Sequence, residues 1–132
     1  MTKNQGVRIS ALLTMILYLS GCAAAVVGAA GAVGGIAYSD RGAKGELKGD
    51  TSKVNQEAQK VFKDMGIKQT ATSTESSGQE RTLDGKTGTM KVSVEMKQQP
   101  SGTTQVEVIA REGTVKWNKD YAKDVLAKIA QE

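Results

Sequence analysis

Residues 90–96 read MKVSVEM, in which apolar Met90, Val92, Val94 and Met96 alternate with polar residues. Side chains of a β-strand point alternately to its two faces, so this period of two predicts a strand with one apolar and one polar face. The apolar face has to be buried, because a sheet is stable only when another layer covers it. The fold class therefore depends on what the flanking segments supply.

Downstream of this strand, the sequence predicts a second strand that pairs with it. Val106, Val108 and Ala110 again alternate with polar residues, although Ile109 falls out of phase. The connection between the two strands contains Pro100, the only proline of the chain, followed by Ser101-Gly102. Because these residues favour turns, an antiparallel hairpin is expected.

Upstream, two weaker strands are predicted over residues 67–74 and 79–83. They are separated by Ser76-Ser77-Gly78 and followed by Asp84-Gly85, a dipeptide that is typical of hairpin turns. Together with the first two, these strands predict a four-stranded antiparallel meander. A further short strand is predicted over residues 43–48.

Two segments carry the period of an amphipathic helix. The first has one apolar stripe, formed by Val54, Ala58, Val61, Phe62 and Met65. It follows the capping residues Asp50, Thr51 and Ser52, and Gly66 ends it. The second follows Asn118 and has its own stripe, formed by Ala122, Val125, Leu126, Ile129 and Ala130.

These elements predict an α+β fold in two layers, with an antiparallel meander sheet and two helices packed on one of its faces. The folded domain is expected over residues 42–132. Phe62 and Trp117 are the largest side chains available to its core, and Trp117 is expected beneath the last helix. The opposite sheet face is expected to lack stacked aromatic residues and to present Thr70, Thr72, Ser93, Glu95 and Glu107.

The N-terminal segment has the layout of a secretory signal, with a basic start and an apolar run of about ten residues from Ile9 to Tyr18. This run is too short for a membrane-spanning helix, which needs about 20 apolar residues. It ends in Leu19-Ser20-Gly21-Cys22, which resembles the lipobox of bacterial lipoproteins. The resemblance implies cleavage of a signal peptide, residues 1–21, and attachment of diacylglycerol and a further acyl chain such as palmitate to Cys22. An ordinary secretory signal cleaved in the following alanine-rich stretch is the alternative.

Residues 22–41 begin with a tract that consists almost wholly of Ala, Gly and Val. It is interpreted as a tether close to the lipid surface, because glycine costs up to about 1 kcal/mol per residue in a helix. A helix that packs through small residues is the alternative, since Gly31 and Gly35 form a GxxxG pattern.

The composition excludes several classes of function. The chain has no histidine and one cysteine, so histidine-dependent nucleophiles and histidine-containing zinc sites are excluded. No metal site, cofactor or catalytic residue is predicted. The 18 basic residues, of which two lie in the signal, are spread singly against 14 acidic ones, and no basic stripe indicates nucleic acid as a partner.

The chain resembles a family of small bacterial lipoproteins catalogued as a domain of unknown function. The features that carry the resemblance are the lipobox, the Ala/Gly tract, the helix that ends at Met65-Gly66-Ile67 and the two long strands. The resemblance implies a lipid-anchored envelope protein and no activity. Since Ala23 rather than aspartate follows Cys22, the periplasmic face of the outer membrane is expected if the host has two membranes. The function is predicted to be non-enzymatic binding of an envelope protein or polymer. The alternative is an enzyme or small-ligand carrier, which a pocket of convergent ionisable groups would favour.

Overall fold

The structure is a computed structural model that describes residues 31–132. Within them the chain forms seven strands and two α-helices. In chain order these are β1 (Ala32–Tyr38), β2 (Gly42–Lys48), α1 (Thr51–Asp64), β3 (Lys68–Glu75), β4 (Glu80–Thr87), β5 (Met90–Gln98), β6 (Thr103–Glu112), β7 (Lys116–Trp117) and α2 (Lys119–Gln131).

The strands form one antiparallel sheet in the order β1-β2-β6-β5-β4-β3, with β7 paired to the far end of β6. The predicted meander is confirmed as β3 to β6. The strand predicted over residues 43–48 is confirmed as β2, which joins the sheet on the other side of β6. Both helices pack on the same face of the sheet, so the predicted two-layer α+β architecture is confirmed.

Helix α1 begins and ends as its sequence predicts. The Asp50 side chain accepts a hydrogen bond from the backbone N–H of Lys53 at 2.8 Å, which satisfies one of the free donors of the first turn. At the other end Gly66 has a φ of 67°, and the N–H of Ile67 bonds to the carbonyl of Phe62 at 2.7 Å. This is the Schellman arrangement, in which a glycine in the left-handed region reverses the chain.

The core lies between the helices and the sheet, and its largest fully buried side chains include Phe62 and Leu126. From the sheet it receives the residues of the predicted apolar alternation, which include Val92, Val94 and Val108. Because the stripes of both helices and the apolar faces of the strands meet in this cluster, the pattern that predicted the layers also predicted the core.

The predicted tether is wrong for Ala32–Tyr38, which form the edge strand β1. Ile36 is only 2% exposed and belongs to the core, and the Gly31 N–H donates to the carbonyl of Ala130 at 2.8 Å. A side chain at Gly31 would put its Cβ 2.5 Å from that same oxygen. The small residues therefore allow a close approach of β1 to the end of α2, and the folded domain begins about ten residues earlier than predicted.

The far end of β1 also contacts α2. The Tyr38 hydroxyl donates to Asp120 Oδ1 at 2.7 Å, and this hydrogen bond raises the pKa of Tyr38 above its ordinary value. Lys123 Nζ lies 4.9 Å from the centroid of the same ring. Strand β1 is thus held by its pairing with β2 and by contacts with α2 at both of its ends.

The predicted turn at Asp84-Gly85 is also wrong, because both residues lie inside β4 and pair with Ser93 and Val92 of β5. The turn lies at Gly88, which has a φ of 57°. A Cβ at Gly85 would lie 2.6 Å from atoms of both Phe62 and Ile67. The glycine is therefore explained by the aromatic ring that packs against the strand, and not by a reversal of the chain.

Candidate functional site

The second face of the sheet has no helix packed on it within residues 31–132. Ser93, Glu95 and Glu107 lie on this open face as predicted, since their cross-strand partners alternate with the buried positions of β5 and β6. Thr72 does not, because it pairs with the buried Leu83 and therefore lies on the helix side. A bulge between residues 69 and 71 of β3 shifts the phase of the alternation.

One row of cross-strand neighbours on the open face consists entirely of cations. Lys68 of β3 pairs with Lys86 of β4, Lys86 pairs with Lys91 of β5, and Lys91 pairs with Arg111 of β6. Like charges directly opposite each other in a sheet destabilise it. These four residues, the cationic row, form no ion pair with any acidic residue in the described part of the chain.

Arg111 ends the cationic row beside Trp117. Its guanidinium lies 5.2 Å from the centroid of the indole ring, within the range of a cation–π interaction. Its Nε is buried and has no hydrogen-bond acceptor among residues 31–132. A buried polar atom without a partner typically costs about 1–3 kcal/mol, so this position favours a bound acceptor.

The expectation that Trp117 lies in the core beneath the last helix is wrong. Trp117 is 38% exposed and lies on β7, directly opposite Arg111. Gly113, with a φ of 60°, turns the chain back along β6 before Asn118 caps α2. Because opposite residues share a face, this hairpin places the indole on the open face, which therefore does carry an aromatic residue.

The cationic row borders a concavity of about 540 Å³ in the open face, a volume within the range of ligand sites. Ile109, the residue out of phase in the sequence, contributes to its wall and is 7% exposed. The residues that line it are Arg41, Thr70, Asp84, Gly85, Lys86, Lys91, Val92, Ser93, Glu95, Ile109, Arg111 and Trp117. It combines cations, an aromatic ring and an aliphatic side chain.

The acidic groups of this concavity already have partners. Asp84 Oδ1 accepts a hydrogen bond from the Ser93 hydroxyl at 2.6 Å. Arg41 bridges Glu95 at 3.4 Å and Glu107 at 3.3 Å. Lys86, Lys91 and Arg111 therefore lack an ionic partner in residues 31–132, and so does one lining carboxylate, Asp84. The lining as a whole carries more positive than negative groups, which favours an anion.

A second concavity of about 390 Å³ lies further along the same face and differs in charge. Its lining mixes both signs, and Lys97 Nζ lies 3.5 Å from Glu80 Oε1 across the β5–β4 pair. Its charges neutralise one another. The cationic row is therefore confined to one part of the open face. Lys97 lies on the same strand and face as Lys91 but has an ionic partner, so its substitution is a matched control for that of Lys91.

Cys22, the predicted lipidation site, lies outside the described residues. Within residues 31–132 no group of His, Cys, Asp or Glu side chains could hold a metal ion. No helix in this part of the chain is long and apolar enough to cross a membrane.

The cationic row could not be found from the sequence alone. Its members are separated by up to 43 positions and are brought together only by the register of four strands. The bulge in β3 and the hairpin that carries Trp117 contribute to this register. The only local signal was Ile109, an apolar residue on the polar face of β6.

The fold and the site define a small two-layer α+β domain with one uncovered sheet face that bears a concavity with an excess of basic groups. The chain belongs to the family described as "Protein of unknown function (DUF3568)", whose sequence profile matches residues 6–131. Comparison with curated proteins gave no match.

Proposed function

We propose that the protein is a lipid-anchored lipoprotein of the bacterial cell envelope that binds another envelope component without transforming it. The observation that carries this proposal is Leu19-Ser20-Gly21-Cys22, which follows a basic start and an apolar run and contains the only cysteine of the chain. In this role the Cys22 thiol carries diacylglycerol and the new N-terminus a further acyl chain. Two or more chains give stable anchoring, whereas one gives only marginal binding.

The geometry of the domain fits a protein that acts close to a membrane surface. Gly31 lies nine positions after Cys22, and a fully extended chain of nine residue steps spans about 30 Å. The anchor therefore keeps the domain within a few nanometres of the bilayer. This confinement raises its effective concentration toward any partner in the same layer of the envelope.

Binding rather than catalysis is supported by the groups that line the open-face concavity. The serine in the lining of this concavity is Ser93, whose hydroxyl donates a hydrogen bond to Asp84. The chain has no histidine that could act as a general base for this hydroxyl. The unpaired cations offer attraction for an anion instead. Turnover of a substrate by the purified protein, abolished by one polar substitution that leaves stability intact, would contradict a purely binding role.

Replacing Cys22 by serine tests the anchor directly. We expect Cys22→Ser to move the protein from the membrane fraction to the soluble or uncleaved pool, because serine cannot form the thioether. Mass spectrometry of the membrane form should find the mature N-terminus at Cys22 with its acyl chains. An unmodified N-terminus beyond Cys22, or a Cys22→Ser protein that is processed to the mature size and still stays in the membrane fraction, would refute the proposal.

We further propose that, in a host with two membranes, the protein resides on the periplasmic face of the outer one. The reason is Ala23, since an aspartate after the lipidated cysteine commonly retains lipoproteins at the inner membrane. Ala23→Asp is therefore expected to shift the protein to the inner membrane in a density-gradient separation, and Ala23→Ser is the control. Finding the unaltered protein in the inner membrane would contradict this location.

A further inference from the structure

We propose that the concavity beside the cationic row binds an acidic polysaccharide, that is, a sugar polymer bearing carboxylate or phosphate groups. This inference deepens the proposed function, because it names the chemistry of the envelope component that is bound. The site would exist whether or not the chain is anchored, so the two proposals can fail separately.

The arrangement of charge favours a polymeric anion. Neighbouring strands lie about 4.8 Å apart, so the four cations from Lys68 to Arg111 extend over about 14 Å across the sheet. The row runs across the strands, and three of its members, Lys86, Lys91 and Arg111, line the concavity. An anionic chain that lies along the row meets several cations in succession and relieves their mutual repulsion.

The end of the row at Trp117 adds a surface for a ring. The indole is partly exposed, and Arg111 lies against it with a buried Nε that lacks an acceptor within residues 31–132. An acidic sugar presents both a pyranose face for the indole and oxygens for the guanidinium. Ser93 and Asp84 lie in the same wall, where the Ser93 hydroxyl donates to Asp84 Oδ1.

A peptide is a poorer occupant for this surface. Peptides bind to sheets mainly by adding a strand at an edge, where backbone groups are unpaired. The concavity lies over β4, β5 and β6, which are central strands whose backbone groups bond to their neighbours on both sides. Recognition here has to use side chains, as the binding of a sugar polymer does.

The membrane that carries the anchor is also a poorer occupant. The described part of the chain begins at Gly31, which bonds to Lys48 at the end of β2. Lys48 pairs with Thr103, the first residue of β6. Arg111 lies near the opposite end of β6. The eight residue steps from Thr103 to Arg111 place these two ends about 27 Å apart. The cationic row thus lies at the end of the sheet remote from the point where the anchored chain reaches the domain.

Fluorescence of the protein purified from its host in nonionic detergent tests the inference, because Trp117 is the only tryptophan of the chain. The acidic probes are polygalacturonate, which carries carboxylates, and yeast phosphomannan, which carries phosphates. Dextran is the neutral control, poly-glutamate the acidic polymer without sugar rings, and phosphatidylglycerol added to the micelles the acidic lipid. We expect one or both acidic polysaccharides to change the fluorescence in a saturable way, and dextran to leave it unchanged.

Substitutions in the row and outside it locate the site. Removing one charge contact worth up to about 1 kcal/mol weakens binding about fivefold, so Lys91→Gln should raise the Kd by that factor and Lys86→Gln/Lys91→Gln by more. Lys97→Gln, on the same strand and face but paired with Glu80, should leave the Kd unchanged. Neither change in the row should lower the midpoint of thermal unfolding, because each removes a like-charge neighbour.

The inference is overturned if neither polysaccharide changes the fluorescence, or if Lys91→Gln and Lys97→Gln weaken binding equally. Preferred binding of poly-glutamate would identify an acidic protein as the partner, and a response confined to phosphatidylglycerol would identify the membrane surface. Both results would contradict a polysaccharide site. Because this assay uses solubilised protein, its outcome is independent of whether Cys22 anchors the chain in the cell.

Discussion

Replacing Phe62 by alanine is expected to lower the free energy of unfolding by about 3–5 kcal/mol, the range for removing a buried aromatic side chain. Phe62 is 2% exposed and is the largest of the fully buried side chains. It joins the stripe of α1 to the inner face of β4 and to Ile67 beyond the helix. Denaturant titration measures the loss, and the exposed neighbour Lys63→Ala should change stability by less than about 0.5 kcal/mol.

The contact between Phe62 and Gly85 permits a sharper version of this test. Gly85→Ala alone should destabilise by about 1–3 kcal/mol, because the new methyl group overlaps the ring. In the Phe62→Ala background the same change should cost less, since the ring is gone and only the close contact with Ile67 remains. Additive losses, or a loss below about 1 kcal/mol for Phe62→Ala, would mean that the ring does not pack against this strand.

The parts of the fold that the sequence predicted are those set by local period. The stripe of α1, its caps at Asp50 and Gly66, and the alternation in β5 each depend on residues a few positions apart. Their geometry follows from the helix and strand repeats themselves. Phe62 and Leu126, one from each predicted helix stripe, accordingly lie in one core.

The predictions that failed involve glycine or pairings between distant segments. Gly85 lies in a strand because Phe62 occupies the space of a side chain, and a dipeptide pattern carries no information about that contact. Trp117 lies on the open face because of its pairing with Arg111. In both cases tertiary contact decided between two local conformations that the residues allow, which is why turn and burial propensities were misleading.

The same reasoning explains why the candidate site had no sequence signature. Spread singly through a chain of mixed charge, Lys86, Lys91 and Arg111 resemble ordinary solvated residues. Only the sheet register makes them neighbours, and only the hairpin at Gly113 places Trp117 beside them. A row of like charges reduces the stability of the sheet. The presence of the row is therefore better explained by binding than by stability.

A chain shortened to begin at Ser39 is expected to be much less stable than one that begins at Ala29. The shorter chain lacks β1, which leaves β2 as an unprotected edge and opens the core where Ile36 was buried. Loss of the Ile36 side chain alone should remove about 2–5 kcal/mol, and the docking of Tyr38 on Asp120 is lost with it. Denaturant titration compares the two chains, and hydrogen exchange should show reduced protection in β2.

Point substitutions in the full-length protein separate the side-chain effect from that of the missing strand. Ile36→Ala should destabilise by about 2–5 kcal/mol, whereas Val33→Ala, on the same strand but 42% exposed, should change stability by less than about 0.5 kcal/mol. Equal midpoints for the chains that begin at Ser39 and Ala29, together with equal effects at Ile36 and Val33, would restore the tether interpretation for this segment.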